Sequence, residues 1–138
     1  MNQSNVLRTG RHCIFLLHVH LVFVTKYRKK IFNRQMLAQM KEIFGDVAKD
    51  FECELLEFEG ECDHVHLLLN FPPKVAISKL VNSLKGVSSR YLRRDYPQLH
   101  QLCKKKALWS PSYFAGSCGG APLETIKKYI ESQAKPAN

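Results

Sequence analysis

Asp63-His64-Val65-His66-Leu67-Leu68-Leu69 sets two histidines two positions apart inside an apolar run. A helix would aim the two imidazoles to nearly opposite sides, whereas a strand aims both the same way. The β-branched and leucine-rich neighbours, a few residues past the turn-forming Gly60, favour the strand. His64, His66 and Leu68 then share one sheet face, while Val65, Leu67 and Leu69 pack the other against a core. Two imidazoles alone make a weak metal site. A third ligand and a reactive group have to come from elsewhere in the chain.

Outward from this strand, residues 51–59 read as its hairpin partner, turning at Gly60, and Pro72-Pro73 ends the run. Upstream, residues 13–24 read as a buried first strand. They follow Arg8 and Arg11 like a signal-peptide core, but they contain His18 and His20, and Thr25-Lys26-Tyr27-Arg28 stands where a small-residue cleavage site belongs. The run is also too short to span a membrane. Between these strands Asn33 caps a helix with Met36, Leu37, Met40, Ile43, Phe44 and Val47 at helical spacing.

A second helix carries Ile77, Leu80, Val81, Leu84, Val87, Tyr91 and Leu92 on one face and stops before Pro97. Gly86 in its middle costs about 1 kcal/mol relative to Ala, tolerable where another backbone packs closely. Past a basic loop, residues 112–117 read as a fourth strand, Gly119-Gly120 as a hinge and residues 122–133 as a last helix. The order β-α-β-β-α-β with an added C-terminal helix predicts an α+β, ferredoxin-like antiparallel sheet, two helices covering one face and the other open. With no repeat or linker in sight, residues 1–138 read as one domain: a core over 12–118, then a hinge and helix over 119–138.

The 21 Lys and Arg against 12 Asp and Glu give a net charge of +9, which favours a polyanionic partner, nucleic acid first. Six of the acids lie between Glu52 and Asp63, so the rest of the chain is more basic still. The basic groups gather in residues 26–30, in Lys85 with Arg90, Arg93 and Arg94, and in Lys104-Lys105-Lys106, with Tyr27, Tyr91, Tyr96 and Trp109 close by. Phosphates need cations and unstacked bases need aromatic faces, so the pattern fits a single-strand binder. The five cysteines are odd in number and lack C-x-x-C spacing, which predicts a reducing, cytoplasmic setting and neither a disulfide framework nor a zinc knuckle.

In Tyr129-Ile130-Glu131-Ser132-Gln133 the tyrosine and glutamine stand one helical turn apart and project side by side, with Ile126 and Ile130 marking the buried edge. Taken with the H-x-H strand, the Gly-Gly hinge and the basic surface, the chain resembles the TnpA-like HUH single-tyrosine transposases of the insertion sequence 200/605 group. The matching stretches are residues 26–28, 63–69, 84–90, 108–114 and 129–133. Each is weak alone, but the ordered set is specific and spans almost the whole chain.

The resemblance implies a homodimer that recognises hairpins near element ends and cuts and rejoins single-stranded DNA through a 5′-phosphotyrosine. It implies that His64, His66 and Gln133 hold a divalent metal, Mg²⁺ or Mn²⁺, and that Tyr129 is the nucleophile. Lys26, Tyr27, Arg28, Lys85, Arg90 and Arg93 are the expected DNA contacts, and no membrane is involved. His18-Val19-His20 repeats the H-V-H spacing on the neighbouring strand; spacing alone does not choose between the pairs, and the resemblance assigns the metal to His64 and His66. His18 or His20 is then expected beside the site, with core packing as the alternative. A non-catalytic hairpin-binding domain and a domesticated repeat-processing nickase are the rival readings.

Overall fold

The computed structural model describes residues 7–102, 107–117 and 123–133. A small hairpin of β1 (Arg8–Gly10) and β2 (Cys13–Phe15) comes first. The single strand predicted over residues 13–24 is therefore divided. His12 turns the chain in the left-handed region at φ 63°, so residues 13–15 pair back on residues 8–10. Leu16 and Leu17 bridge to the main sheet and remain partly in solvent.

β3 (His18–Val24) then enters the sheet. After a 3₁₀ turn at Lys26–Arg28, α1 (Arg34–Asp50) starts where Asn33 accepts a bond from Met36 N at 2.9 Å, a cap of about 1 kcal/mol. β4 (Glu54–Gly60) begins later than predicted, because Phe51 closes α1 by bonding back to Ala48 and Glu52 turns the chain at φ 59°. β5 (His64–Asn70) is the histidine strand, and α2 (Ile77–Asp95) ends before Pro97. A one-turn helix, α3 (Leu99–Leu102), was not expected; it seats Leu99 fully in the core. β6 (Phe114–Ser117) is shorter than the predicted 112–117; at the start of that stretch the carbonyl of Ser112 accepts from Lys85 Nζ. α4 (Leu123–Ser132) carries Tyr129. Gly119-Gly120 and the 104–106 lysines lie outside the described residues.

The four main strands form an antiparallel sheet in the order β4-β5-β3-β6. β3 and β5 pair from His18↔Asn70 to Val24↔His64, so both H-V-H segments lie in adjacent strands at the centre. The sheet has two unlike faces. Val19, Leu21 and Phe23 of β3 and Val65, Leu67 and Leu69 of β5 meet α1 and α2 through Met40, Phe44, Leu80 and Leu84 in the main core. The opposite face presents His20, Val22 and Val24 beside His64 and His66, and α4 lies across it with Ile126 and Ile130 packed on Val22 and Val24. The predicted open face is thus partly roofed by the tyrosine helix. Gly86 is open to space, with nothing within 4 Å of a Cβ placed there, so its role is not the close backbone contact expected of it. No described helix is long and apolar enough to cross a membrane.

Candidate active site

His64 and His66 point to the same side of β5, as the two-residue period of a strand requires. Their ring centroids are 5.1 Å apart and the rings are nearly perpendicular. His64 Nδ1 lies 2.7 Å from Asp63 Oδ1, and Arg28 Nε donates to Asp63 Oδ2 at 2.8 Å. Burial pushes the Asp63 carboxyl up, but the bonds from His64 and Arg28 outweigh it and hold the group below its ordinary range. Arg28 gets there through a strained turn. Tyr27 and Arg28 both have positive φ, 59° and 55°, a conformation costing non-glycine residues about 1–3 kcal/mol each. Thr25 Oγ1 ties that turn by donating to Lys29 O at 2.7 Å.

His66 Nδ1 faces His20 Nε2 at 3.2 Å, and the rings stack with centroids 5.4 Å apart. Burial, then the neighbouring His64 and His20, push His66 down to about 4. Burial also lowers His20, against an opposing pull from Glu57. A neutral imidazole keeps a lone pair for a metal. His20 therefore lies against the proposed ligand, whereas His18 Nε2 is buried without a hydrogen-bond partner.

A cleft of about 290 Å³ separates the histidines from α4, lined by Arg28, His64, His66, Ile126, Lys127, Ile130 and Glu131. Tyr129 and Gln133 do project together, one turn apart, but toward the other flank of α4. Tyr129 OH is 2.8 Å from Ser112 Oγ, and its ring sits 6.2 Å from that of Phe114. Gln133 Oε1 accepts from Ser110 Oγ, and its Nε2 donates to Ser132 Oγ at 3.1 Å. His66 and Phe114 pair with Val22 from opposite sides. They stand two strand spacings, about 10 Å, apart. The structure thus brings each pair together and keeps the pairs on opposite flanks of α4. Lys127 was not singled out in the sequence, whereas Glu131, two residues from Tyr129, is expected on a different side of the helix from it; both reach the cleft by lying one residue beyond Ile126 and Ile130 around the helix.

The seam that holds Tyr129 and Gln133 is residues 108–112. Lys26 N donates to Leu108 O at 3.0 Å, Ser110 N to Val24 O at 2.7 Å, and Trp109 Nε1 to Ser88 Oγ at 3.0 Å. Lys85 Nζ donates to Ser110 O at 2.7 Å and Ser112 O at 2.9 Å. Burial pushes this lysine down to about 8. Lys85, an expected DNA contact, is thus directed at the loop in this structure. Lys85→Met is accordingly expected to leave the slope of log affinity against log salt unchanged. Loss of a phosphate contact would lower it by about 0.7–0.9.

Arg90 and Arg93 lie with Gly86, Ser89, Arg94 and His100 around a second cleft of about 450 Å³. α2 packs its Leu80, Leu84 and Leu92 into the main core, so these arginines belong to the side of the sheet opposite the histidines. Arg90 and Arg94 also stack over Tyr91, at 5.3 and 4.7 Å from its centroid. Tyr27 is 39% exposed, with Lys26 Nζ 5.5 Å over its ring, an accessible aromatic and cation beside the histidine cleft.

A family model described as "Transposase IS200 like" matches residues 13–133. The chain is 36% identical over 127 residues to the ISDra2 transposase TnpA of Deinococcus radiodurans, covering 92% of this chain and 91% of that protein. It is 30% identical over 132 residues to the transposase for insertion sequence element IS200 of Salmonella typhimurium, covering 96% and 84%. A solved Deinococcus radiodurans structure described as a transposase superposes with a TM-score of 0.82 at 34% identity, covering 94% of this chain and 99% of that one. A REP-associated tyrosine transposase bound to a REP hairpin superposes at a TM-score of 0.52 with 11% identity, covering 95% and 68%, a likeness of fold alone.

Proposed function

The chain belongs to the IS200-like transposases, and on that footing we propose that it cuts and rejoins single-stranded DNA at insertion-sequence ends after binding subterminal hairpins. The sheet is read as ferredoxin-like, and residues 1–138 as one HUH domain whose last helix carries the nucleophile. Tyr129 attacks the scissile phosphodiester, forming a 5′-phosphotyrosine and releasing a 3′-hydroxyl; attack by another 3′-hydroxyl reverses the step without ATP. The observation that carries this reading is the H-x-H pair facing, across one cleft, the helix that bears Tyr129 and runs directly into Gln133.

His64 and His66 fit a divalent ion: both are on one face and each already uses Nδ1 within the protein. Among the described residues no three His, Cys, Asp or Glu side chains are grouped to hold a metal; the third donor is the one the family resemblance implies, the amide of Gln133. Mg²⁺ or Mn²⁺ held by these three would neutralise charge on the nonbridging phosphate oxygens. For that, Tyr129 and Gln133 exchange Ser112 and Ser110 for the cleft, through a turn of α4 or its docking on a second protomer of a homodimer. The Arg90 and Arg93 cleft on the opposite side suits a DNA hairpin, leaving the histidine cleft and exposed Tyr27 to the single strand. Arg90→Ala should weaken hairpin binding and reduce its salt slope by about 1.

The test mixes the protein with single-stranded DNA bearing an end hairpin and Mg²⁺ or Mn²⁺ and looks for a denaturant-stable adduct. An adduct on single strands and little on duplex is expected. A non-catalytic binding domain would hold the hairpin and give none.

A further inference from the structure

The second H-V-H segment supplies a group that the proposed reaction has not used. We propose that His20 and Asp63 are positioning residues, each holding one metal-binding imidazole as the Nδ1–H tautomer so that Nε2 is left bare toward the cleft. The proposal rests on the metal reading above.

For His64 the protons follow from the partner. Asp63 lies in the bend before β5, so it escapes the strand alternation that would turn it away from its neighbour, and it reaches His64 Nδ1 at 2.7 Å. Its other oxygen takes the Arg28 bond at 2.8 Å, and its carbonyl accepts from Thr25 N at 2.9 Å. Asp63 is only 3% exposed, so this arrangement is held from three sides. A carboxylate paired with a guanidinium is an acceptor only. His64 Nδ1 must therefore donate, and a neutral ring donating from Nδ1 has its lone pair on Nε2.

His66 has an imidazole where His64 has a carboxylate. Two neutral rings facing through Nδ1 and Nε2 at 3.2 Å bond only if one of those two nitrogens carries the proton. One arrangement has His66 donating to His20 and leaves His66 Nε2 bare. The reverse places a proton on His66 Nε2 and blocks it as a ligand. His20 is fixed for this task by β3–β5 pairing, stacking on His66 and edge contact with Phe114 at 6.2 Å. The repeated spacing is thus two strands contributing one ligand pair and one support.

Nitrogen-15 NMR of histidines in the metal-free protein at pH 8 reads the tautomers directly. His64 and His66 are both expected as the Nδ1–H form; a His66 signal from the Nε2–H form would overturn the proposal. Mn²⁺ affinity, measured by electron paramagnetic resonance without DNA, should fall about 10–100-fold in His20→Ala and in Asp63→Ala. It should recover largely in His20→Gln, whose amide oxygen stands where Nε2 accepted, and in Asp63→Asn. If wild-type protein has the stated tautomers yet takes up no Mn²⁺, the metal reading falls and the tautomer assignment stands. If it takes up Mn²⁺ and His20→Ala does so equally, the positioning role falls and the metal reading stands.

Discussion

Tyr129→Phe should abolish the covalent protein–DNA adduct, a drop of at least about 10⁴-fold in single-turnover rate, or about 5.5 kcal/mol of barrier. Phenylalanine keeps the ring beside Phe114, and the one atom lost is the hydroxyl that bonds Ser112. Thermal stability should therefore move by no more than about 1 kcal/mol, which separates loss of chemistry from loss of fold. Burial pushes the Tyr129 phenol up and the Ser112 bond draws it only part of the way back. The hydroxyl is then protonated at neutral pH, and its proton leaves as the oxygen attacks, so the wild-type rate should climb as pH rises above neutrality. An undiminished adduct in Tyr129→Phe would move the nucleophile elsewhere. Mixing Tyr129→Phe chains with His64→Ala chains adds a geometric reading. Adduct returns only if one protomer's tyrosine serves the other's histidines.

The sheet was legible because its signals are local. Alternation at residues 64–69, the Asn33 cap and the Pro97 stop each act within a few residues, and each corresponds to an observed element boundary or face. Where a boundary moved, a backbone conformation decided it: His12 and Glu52 turn at positive φ with no glycine to announce it. The site was half legible. Strand period and helix turn gave the pairs His64 with His66 and Tyr129 with Gln133. Which flank of α4 meets the histidines depends on Ile126 and Ile130 settling on Val22 and Val24, a tertiary choice that no spacing encodes. The same holds for Lys85. A lysine in a basic cluster gives no sign in the sequence that the 108–112 loop will fold over it and offer two carbonyls.

Two of the segments that carry the family resemblance, residues 84–90 and 108–114, meet at Trp109 through its bond to Ser88, and Trp109→Ala should give the largest loss of stability of any single change near the site. The indole is 7% exposed and packs on Phe23 and Phe32, with centroids 5.7 and 5.3 Å away. Removing a buried indole costs about 3–5 kcal/mol. For a chain of this size that lowers the melting temperature by roughly 10–20 °C. Trp109→Phe keeps ring packing and loses mainly the bond to Ser88, about 1 kcal/mol. The two variants should also differ in chemistry below their melting points. Trp109 anchors the loop whose serines hold Tyr129 and Gln133, and that loop joins the Thr25 turn that aims Arg28 at Asp63. Trp109→Ala should thus slow adduct formation well below its melting point, while Trp109→Phe stays near wild type. If Trp109→Ala melted within a few degrees of wild type, the loop would be a surface appendage, and the coupling between core and tyrosine helix would have to run through Val22 and Val24 instead.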